Sequence, residues 1–294
     1  MDESDGSRPP GPADDPDSYV ERIPTPALAD RVRTVWVQQT GVRPYVQRNL
    51  PTGGVELHCP LGGVPTVIGP LTTAKVTLLP SFSTVVGVRF WPGSAAPLFG
   101  VPFDELVDRT VPLDDLWRHS SAMRLGELLA AEPGPQSALA TVQRVLIDRQ
   151  TRAADPDPVV SAAVCRMMPW QPVEIRDLSS ELMISSSQLR RRFLPAVGLG
   201  PKALQRTLRF QGYLALAQAA AATSARRPRA GVADLAADVG YADHAHLSRE
   251  CRRISGLTPH ELLGGGSDTC RCAHDHAASY NSFLGASRRH APVG

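Results

Sequence analysis

Two groups of side chains in the last third of this 294-residue chain have the types and spacing to read the major groove of DNA. The first is Ser187, Gln188, Arg190 and Arg191. The second is His244, Ala245, Ser248, Arg249 and Arg252. A guanidinium matches N7 and O6 of guanine, a carboxamide matches adenine, and Ser or His bonds to bases or phosphates. Each group must be carried outward on a helix. Leu247, Cys251 and Ile254 recur at i, i+4 and i+7 and form the inward stripe of the second helix, as Leu189, Phe193 and Ala196 do for the first. Asp243 stands where it can cap the second helix, and Gly240 where it can end the preceding one in a left-handed conformation.

The two helices belong to a repeat. Ile175–Leu182 returns as Val232–Val239, Gln188–Arg191 as His246–Arg249, and Val197–Pro201 as Ser255–Pro259. The offset is 57 residues early in the unit and 58 later, so the second copy carries one extra residue near its middle. Insertions are tolerated best in turns, and each copy reads as helix, turn, helix. Between the copies, residues 201–222 open with Pro and continue in Leu, Ala, Gln and Arg, a strong helix composition. At about 1.5 Å per residue this helix spans roughly 33 Å, near the roughly 34 Å between successive major grooves on one face of a duplex. Thr258 and Glu261 form a capping-box pattern, while the first copy has Gly200 in place of the Thr.

The stretch from Val232 to Leu263, with Asp234-Leu235-Ala236, Val239-Gly240-Tyr241, His246-Leu247-Ser248-Arg249 and Gly256-Leu257-Thr258-Pro259, resembles the signature of AraC/XylS-type transcription regulators. The resemblance covers the whole paired module. It implies two helix-turn-helix units on a shared helix, each placing one recognition helix in neighbouring major grooves of promoter or operator DNA. It places Ser187, Gln188, Arg190 and Arg191 on the first recognition helix and His244, Ala245, Ser248 and Arg249 on the second. Leu247 departs from the family's usual Phe, and His244 and Ala245 from its usual long polar residues. Leu50–Leu57, Val67–Pro70 and Val86–Gly93 are similar to the front domain of a subset of such bacterial regulators, where front domains sense small molecules or pair subunits.

That front half is read as follows. Residues 1–18 hold almost nothing apolar and are expected to be disordered. Short β-branched runs at Val32–Gln38, Val55–His58, Val64–Ile68, Ala74–Leu79 and Val85–Phe90 predict a small antiparallel sheet or barrel, and residues 94–150 predict helices. Asp155-Pro156-Asp157-Pro158 reads as a linker. The expected organisation is a regulatory or assembly domain at 19–154, a linker at 155–158, the DNA-binding domain at 159–263 and a mobile tail at 264–294. The fold class is α+β: a β-rich N-terminal domain with a helical extension, then an all-α double helix-turn-helix. Glu56, His58, Arg89 and Trp91 lie on or beside predicted strands as ligand-lining candidates.

Charge divides along the same line. Residues 1–158 hold 14 basic and 19 acidic side chains, and residues 159–263 hold 14 and 8. A cationic module beside a non-cationic one suits nucleic-acid binding with a separate regulatory part. Five scattered cysteines argue against a secreted disulfide framework, and no signal peptide or membrane span is expected, so a bacterial cytoplasm is the expected setting. Arg192 reads as a bystander, His246 as a helix-end residue, and Arg226-Arg227-Pro228-Arg229 as a basic loop or phosphate clamp. Cys270, Cys272, His274 and His276 sit closer together than usual zinc ligands, and no metal or cofactor is assigned. No nucleophile, base and orienting acid share a recognisable spacing, so no catalytic residue is assigned. The partners admitted are double-stranded DNA, RNA polymerase, a small-molecule effector and a second copy of the chain. The rival readings are a DNA-repair methyltransferase-like enzyme, which lacks the cysteine ligands it would need ahead of Cys165, and a ligand-binding protein with a degenerate DNA module.

Overall fold

The computed structural model describes residues 17–170, 173–223, 232–265, 281 and 283–285. Among the described residues, the front half yields eight strands: β1 (Ser18–Arg22), β2 (Val32–Gln39), β3 (Tyr45–Asn49), β4 (Glu56–Pro60), β5 (Thr66–Ile68), β6 (Lys75–Leu79), β7 (Thr84–Phe90) and β8 (Thr110–Pro112). Six pair in an antiparallel sheet of order β1-β2-β7-β4-β5-β8, while β3 and β6 pair antiparallel in a separate ribbon. The β-branched runs supply β2 and β4 to β7 close to the expected bounds. Three strands are additions. Ser18, expected in a disordered segment, begins β1.

Alternation along these strands sorts the sheet into two faces. Val35, Val88 and Leu57 stand abreast in register, as do Val37, Val86 and Cys59, and all are buried in the main core. Helices α1 (Ala96–Phe99), α2 (His119–Ala130) and α3 (Pro135–Gln150) cover that face with Leu98, Phe99, Leu125, Leu129, Val142 and Leu146. Phe99 is the pivot, edge-on to Phe90 at 5.6 Å and stacked on Trp117 at 6.0 Å. On the other face Trp36 lies over Gly87, where an added Cβ would stand 2.1 Å from the indole ring. Glycine is required there because the ring occupies the side-chain space.

The back half is helical: α4 (Pro158–Arg166), α5 (Ile175–Glu181), α6 (Ser186–Val197), α7 (Pro201–Thr223), α8 (Val232–Asp238) and α9 (His244–Ser255). Pro158, expected in the linker, is the first residue of α4, and Asp157 caps it by accepting from Val159 N at 2.9 Å and Val160 N at 3.3 Å. Two separate cores form. Leu189, Phe193 and Val197 of α6 pack with Val160, Leu178, Leu204 and Leu208, whereas Leu247, Cys251 and Ile254 of α9 pack with Val239, Phe210, Tyr213 and Leu214. α7 gives residues to both cores and so fixes each unit to a common spine.

The two halves are docked. Gln211 on α7 donates to the Pro51 carbonyl at 2.8 Å and accepts from Arg33 at 3.2 Å, all within buried surroundings. A Cβ at Gly93 would lie 2.9 Å from Val160, and one at Gly53 2.8 Å from Leu204, so the front domain meets the helices at backbone distance. The tail expected to be mobile is anchored at one described point: Phe283 is buried, edge-on to Trp170 at 5.5 Å and under the Arg33 guanidinium at 4.7 Å.

Candidate nucleic-acid interface

Each candidate reading helix is built by its caps and its stripe. Four residues separate α5 from α6 and five separate α8 from α9, so the extra residue of the second copy lies in the turn. Gly240 takes the left-handed conformation there, with φ 77°. The equivalent residue of the first copy is Met183, which adopts φ 53° with a 90% exposed side chain. That conformation costs a non-glycine residue about 1–2 kcal/mol.

α9 starts at Asp243, whose carboxylate accepts from His246 N at 2.6 Å. Leu247, Cys251 and Ile254 are buried, and His244, Ala245, Arg249 and Arg252 are exposed on the far side, with Ser248 half-buried 3.5 Å from His244. His246 turns inward: its ring lies edge-on to Tyr241 at 5.2 Å, and its Nδ1 is 3.4 Å from Ala242 N. α6 starts at Ser185 in a full capping box, with Gln188 N donating to Ser185 Oγ at 3.1 Å and Ser185 N to Gln188 Oε1 at 2.9 Å. Ser187, Gln188, Arg190 and Arg191 are all exposed, and Val197 fills the inner position more deeply than Ala196. The capping box commits Gln188 Oε1 to the helix start, a role not assigned from the sequence, although the spacing of Ser185 and Gln188 carries its signal.

Arg192 is held elsewhere. It forms a two-pronged bridge to Asp157 at 2.7 and 2.9 Å, tying α6 to the start of α4. Burial works against charge on Asp157, yet the hydrogen bonds from Arg192 and the two backbone amides outweigh it and hold the carboxyl below its ordinary range. Between the units, Arg206 on α7 reaches Glu250 on α9 at 3.6 Å. The Thr258–Glu261 capping box forms with both bonds, at 2.6 and 3.2 Å.

The front domain touches both units at corresponding ends. A Cβ at Gly198, which closes α6, would stand 2.6 Å from Pro70 and 2.7 Å from the Phe103 carbonyl oxygen. Four residues past Pro70, Ala74 N donates to the Ile254 carbonyl at 2.7 Å, and Arg48 donates to the Ser255 carbonyl at 3.1 Å. The loop 70–74 therefore runs from the end of α6 to the end of α9.

Of the ligand-lining candidates, the structure gathers three. Arg89 donates to Glu56 at 2.8 Å and to Glu21 at 2.7 Å, Tyr19 donates to Glu21 at 2.7 Å, and His58 is 3.3 Å from Glu56. Trp91 is not part of this cluster. It sits in the seam between the halves, with its indole nitrogen donating to the Ala29 carbonyl at 3.3 Å. Tyr19, Glu21 and Trp36 join the cluster without a sequence signal beyond strand alternation. Among the described residues, no group of three or more His, Cys, Asp or Glu side chains could hold a metal, and no helix is long and apolar enough to cross a membrane. The basic loop at 226–229 and the Cys270–His276 group lie outside the described residues.

Two helix-turn-helix units on one connecting helix, each with a capped, outward basic helix, define a tandem helix-turn-helix protein. Residues 178–264 match the family model described as helix-turn-helix domain, and residues 20–112 match one described as a domain of unknown function, DUF6597. No curated protein matches the chain. Among solved structures, an apo variant of ToxT from Vibrio cholerae is 11% identical at a TM-score of 0.44, covering 78% of this chain and 96% of that one. A fatty-acid-bound ToxT from the same organism is 9% identical at 0.43, covering 81% and 96%.

Proposed function

We propose that this protein is a sequence-specific transcriptional regulator that places α6 and α9 in adjacent major grooves and is modulated through its front domain. The observation that carries the reading is the pairing of two exposed basic helices by α7, whose 23 residues give a length of about 35 Å, close to one turn of the duplex. Arg190 and Arg191 on α6, and Arg249 and Arg252 on α9, supply base or phosphate contacts. Ser187, Gln188, His244, Ala245 and Ser248 shape the preference between bases. Because the loop 70–74 touches both units, a change in the front domain reaches the angle between the reading helices. Promoter DNA in a bacterial cytoplasm, RNA polymerase and a second copy of the chain are the partners consistent with this role.

The test is selection of bound sequences from random duplex DNA by the full chain, then by Arg191→Ala and Arg249→Ala. Two short motifs about one helical turn apart are expected, each lost with one variant at a cost of about 1–3 kcal/mol per base contact. Binding without sequence enrichment, or variants that weaken all sequences equally, would refute base readout by these residues.

A further inference from the structure

Three arginines crowd a groove that the proposed reading of DNA does not use. It lies between α1, α2 and α3 of the front domain, has a volume of about 330 Å³ and is floored by buried Trp117, with Pro97 and Val145 as apolar walls. That volume is within the range of small-molecule sites. Arg124, Arg149 and Arg152 line it against a single carboxylate, Asp148.

Arg149 is the informative residue. Its guanidinium is half-buried and stacked on Trp117 at 4.1 Å, and its Nε donates to the Leu98 carbonyl, which also accepts from Trp117 at 3.1 Å. The two terminal nitrogens have no acceptor among the described residues. Arg152 has no side-chain partner among them, and Arg124 only an exposed, 3.9 Å approach to Glu127. Fixing a guanidinium in a partly dry site with its fork unfilled is unfavourable unless an anion completes it. A planar carboxylate fits that fork, and the walls fit an apolar body.

We infer that this groove binds a small organic anion, its carboxylate on Arg149 and Arg152 and its apolar part against Pro97 and Val145. The site adjoins the joint with the DNA module. Ala153 lines the groove, the next residue's carbonyl accepts from Arg31 at 3.2 Å, and Asp157 pairs with Arg192 on α6. As an effector site the groove rests on the regulatory reading above. As a binding site it does not.

The experiment is calorimetric titration of the full chain with sodium benzoate, sodium acetate and inorganic phosphate at fixed ionic strength. Saturable one-to-one binding of benzoate, tighter than acetate or phosphate, is expected. Arg124→Ala/Arg152→Ala should weaken benzoate about tenfold or more. Arg144→Ala, an exposed arginine on α3 outside the groove, should leave binding unchanged. All three substituted arginines are exposed, and thermal unfolding is the check that each variant folds. No saturable benzoate binding would overturn the site, as would equal losses with Arg144→Ala. Phosphate binding as tightly as benzoate would overturn its assignment to an organic anion. Benzoate binding by a chain that binds no DNA would refute the regulatory reading and leave this site standing.

Discussion

Replacing Met183 by Gly should stabilise the first helix-turn-helix unit. The backbone at Met183 has φ 53°, and its side chain is 90% exposed, so truncation removes little packing. Relieving the left-handed conformation returns about 1–2 kcal/mol. The added freedom of glycine in the unfolded chain takes back about 0.4–1 kcal/mol. The net gain is about 0.5–1 kcal/mol, or a rise of about 1–4 °C in the transition that melts this unit. Thermal unfolding followed by circular dichroism measures it. Met183→Ala is the control: it loses the same side chain, keeps the strain and should melt with the parent. The reverse change, Gly240→Ala, meets only an ordinary contact with Arg209 at 3.8 Å, so its loss of about 1 kcal/mol would report backbone strain alone. If Met183→Gly melted no higher than Met183→Ala, the strain attributed to this turn would be wrong.

Acid sensitivity should concentrate at the Glu56 cluster. Burial opposes charge on Glu56, but the neighbouring Arg89 and then His58 overcome it and lower the carboxyl from 4.5 to about 2. A folded value below the unfolded one gives stability that is complete above about 4.5 and is lost as pH falls toward about 2. Glu56→Gln should therefore flatten the dependence of melting temperature on pH in that window, while lowering stability at pH 7. An unchanged acid limb would exclude Glu56 as its source. Gly87→Ala should destabilise the front domain by about 1–3 kcal/mol or more, because the new Cβ would lie 2.1 Å from the Trp36 ring. Urea unfolding checks this, and a neutral result would mean the indole moves aside freely.

The legibility of the chain followed the range of the forces involved. Helix stripes are local, so Leu247, Cys251 and Ile254 could be placed inward and Arg249 outward from spacing alone. β3 was missed because its pattern is inverted for a simple surface strand: Val46 is exposed, while Tyr45, Gln47 and Asn49 are half-buried. β1 was missed because Tyr19 and Val20 follow a Pro-rich acidic stretch that masks so short a run. Trp91 could not be separated from Glu56, His58 and Arg89, since adjacency to a strand does not say which side of the domain the chain turns toward. The three front-half stretches singled out by resemblance all reach the seam, through Gly53 on Leu204, Pro70 on Gly198 and Gly93 on Val160. Their signal is docking geometry, which depends on contacts far apart in the sequence and has no local period to read.

The loop 70–74 has a mechanical consequence. A chain with two reading heads on one rod would be an open lever, free to flex at both ends. Contacts from one short loop to the ends of both heads, at Gly198 and Ile254, close that lever into a frame whose sides are α6, α7, α9 and the loop. A closed frame cannot splay one corner without moving the others. In the proposed reading of DNA, the spacing between α6 and α9 is therefore tied to this loop as well as to α7, and a change in the loop's length is expected to alter that spacing without substituting any proposed DNA-contact residue.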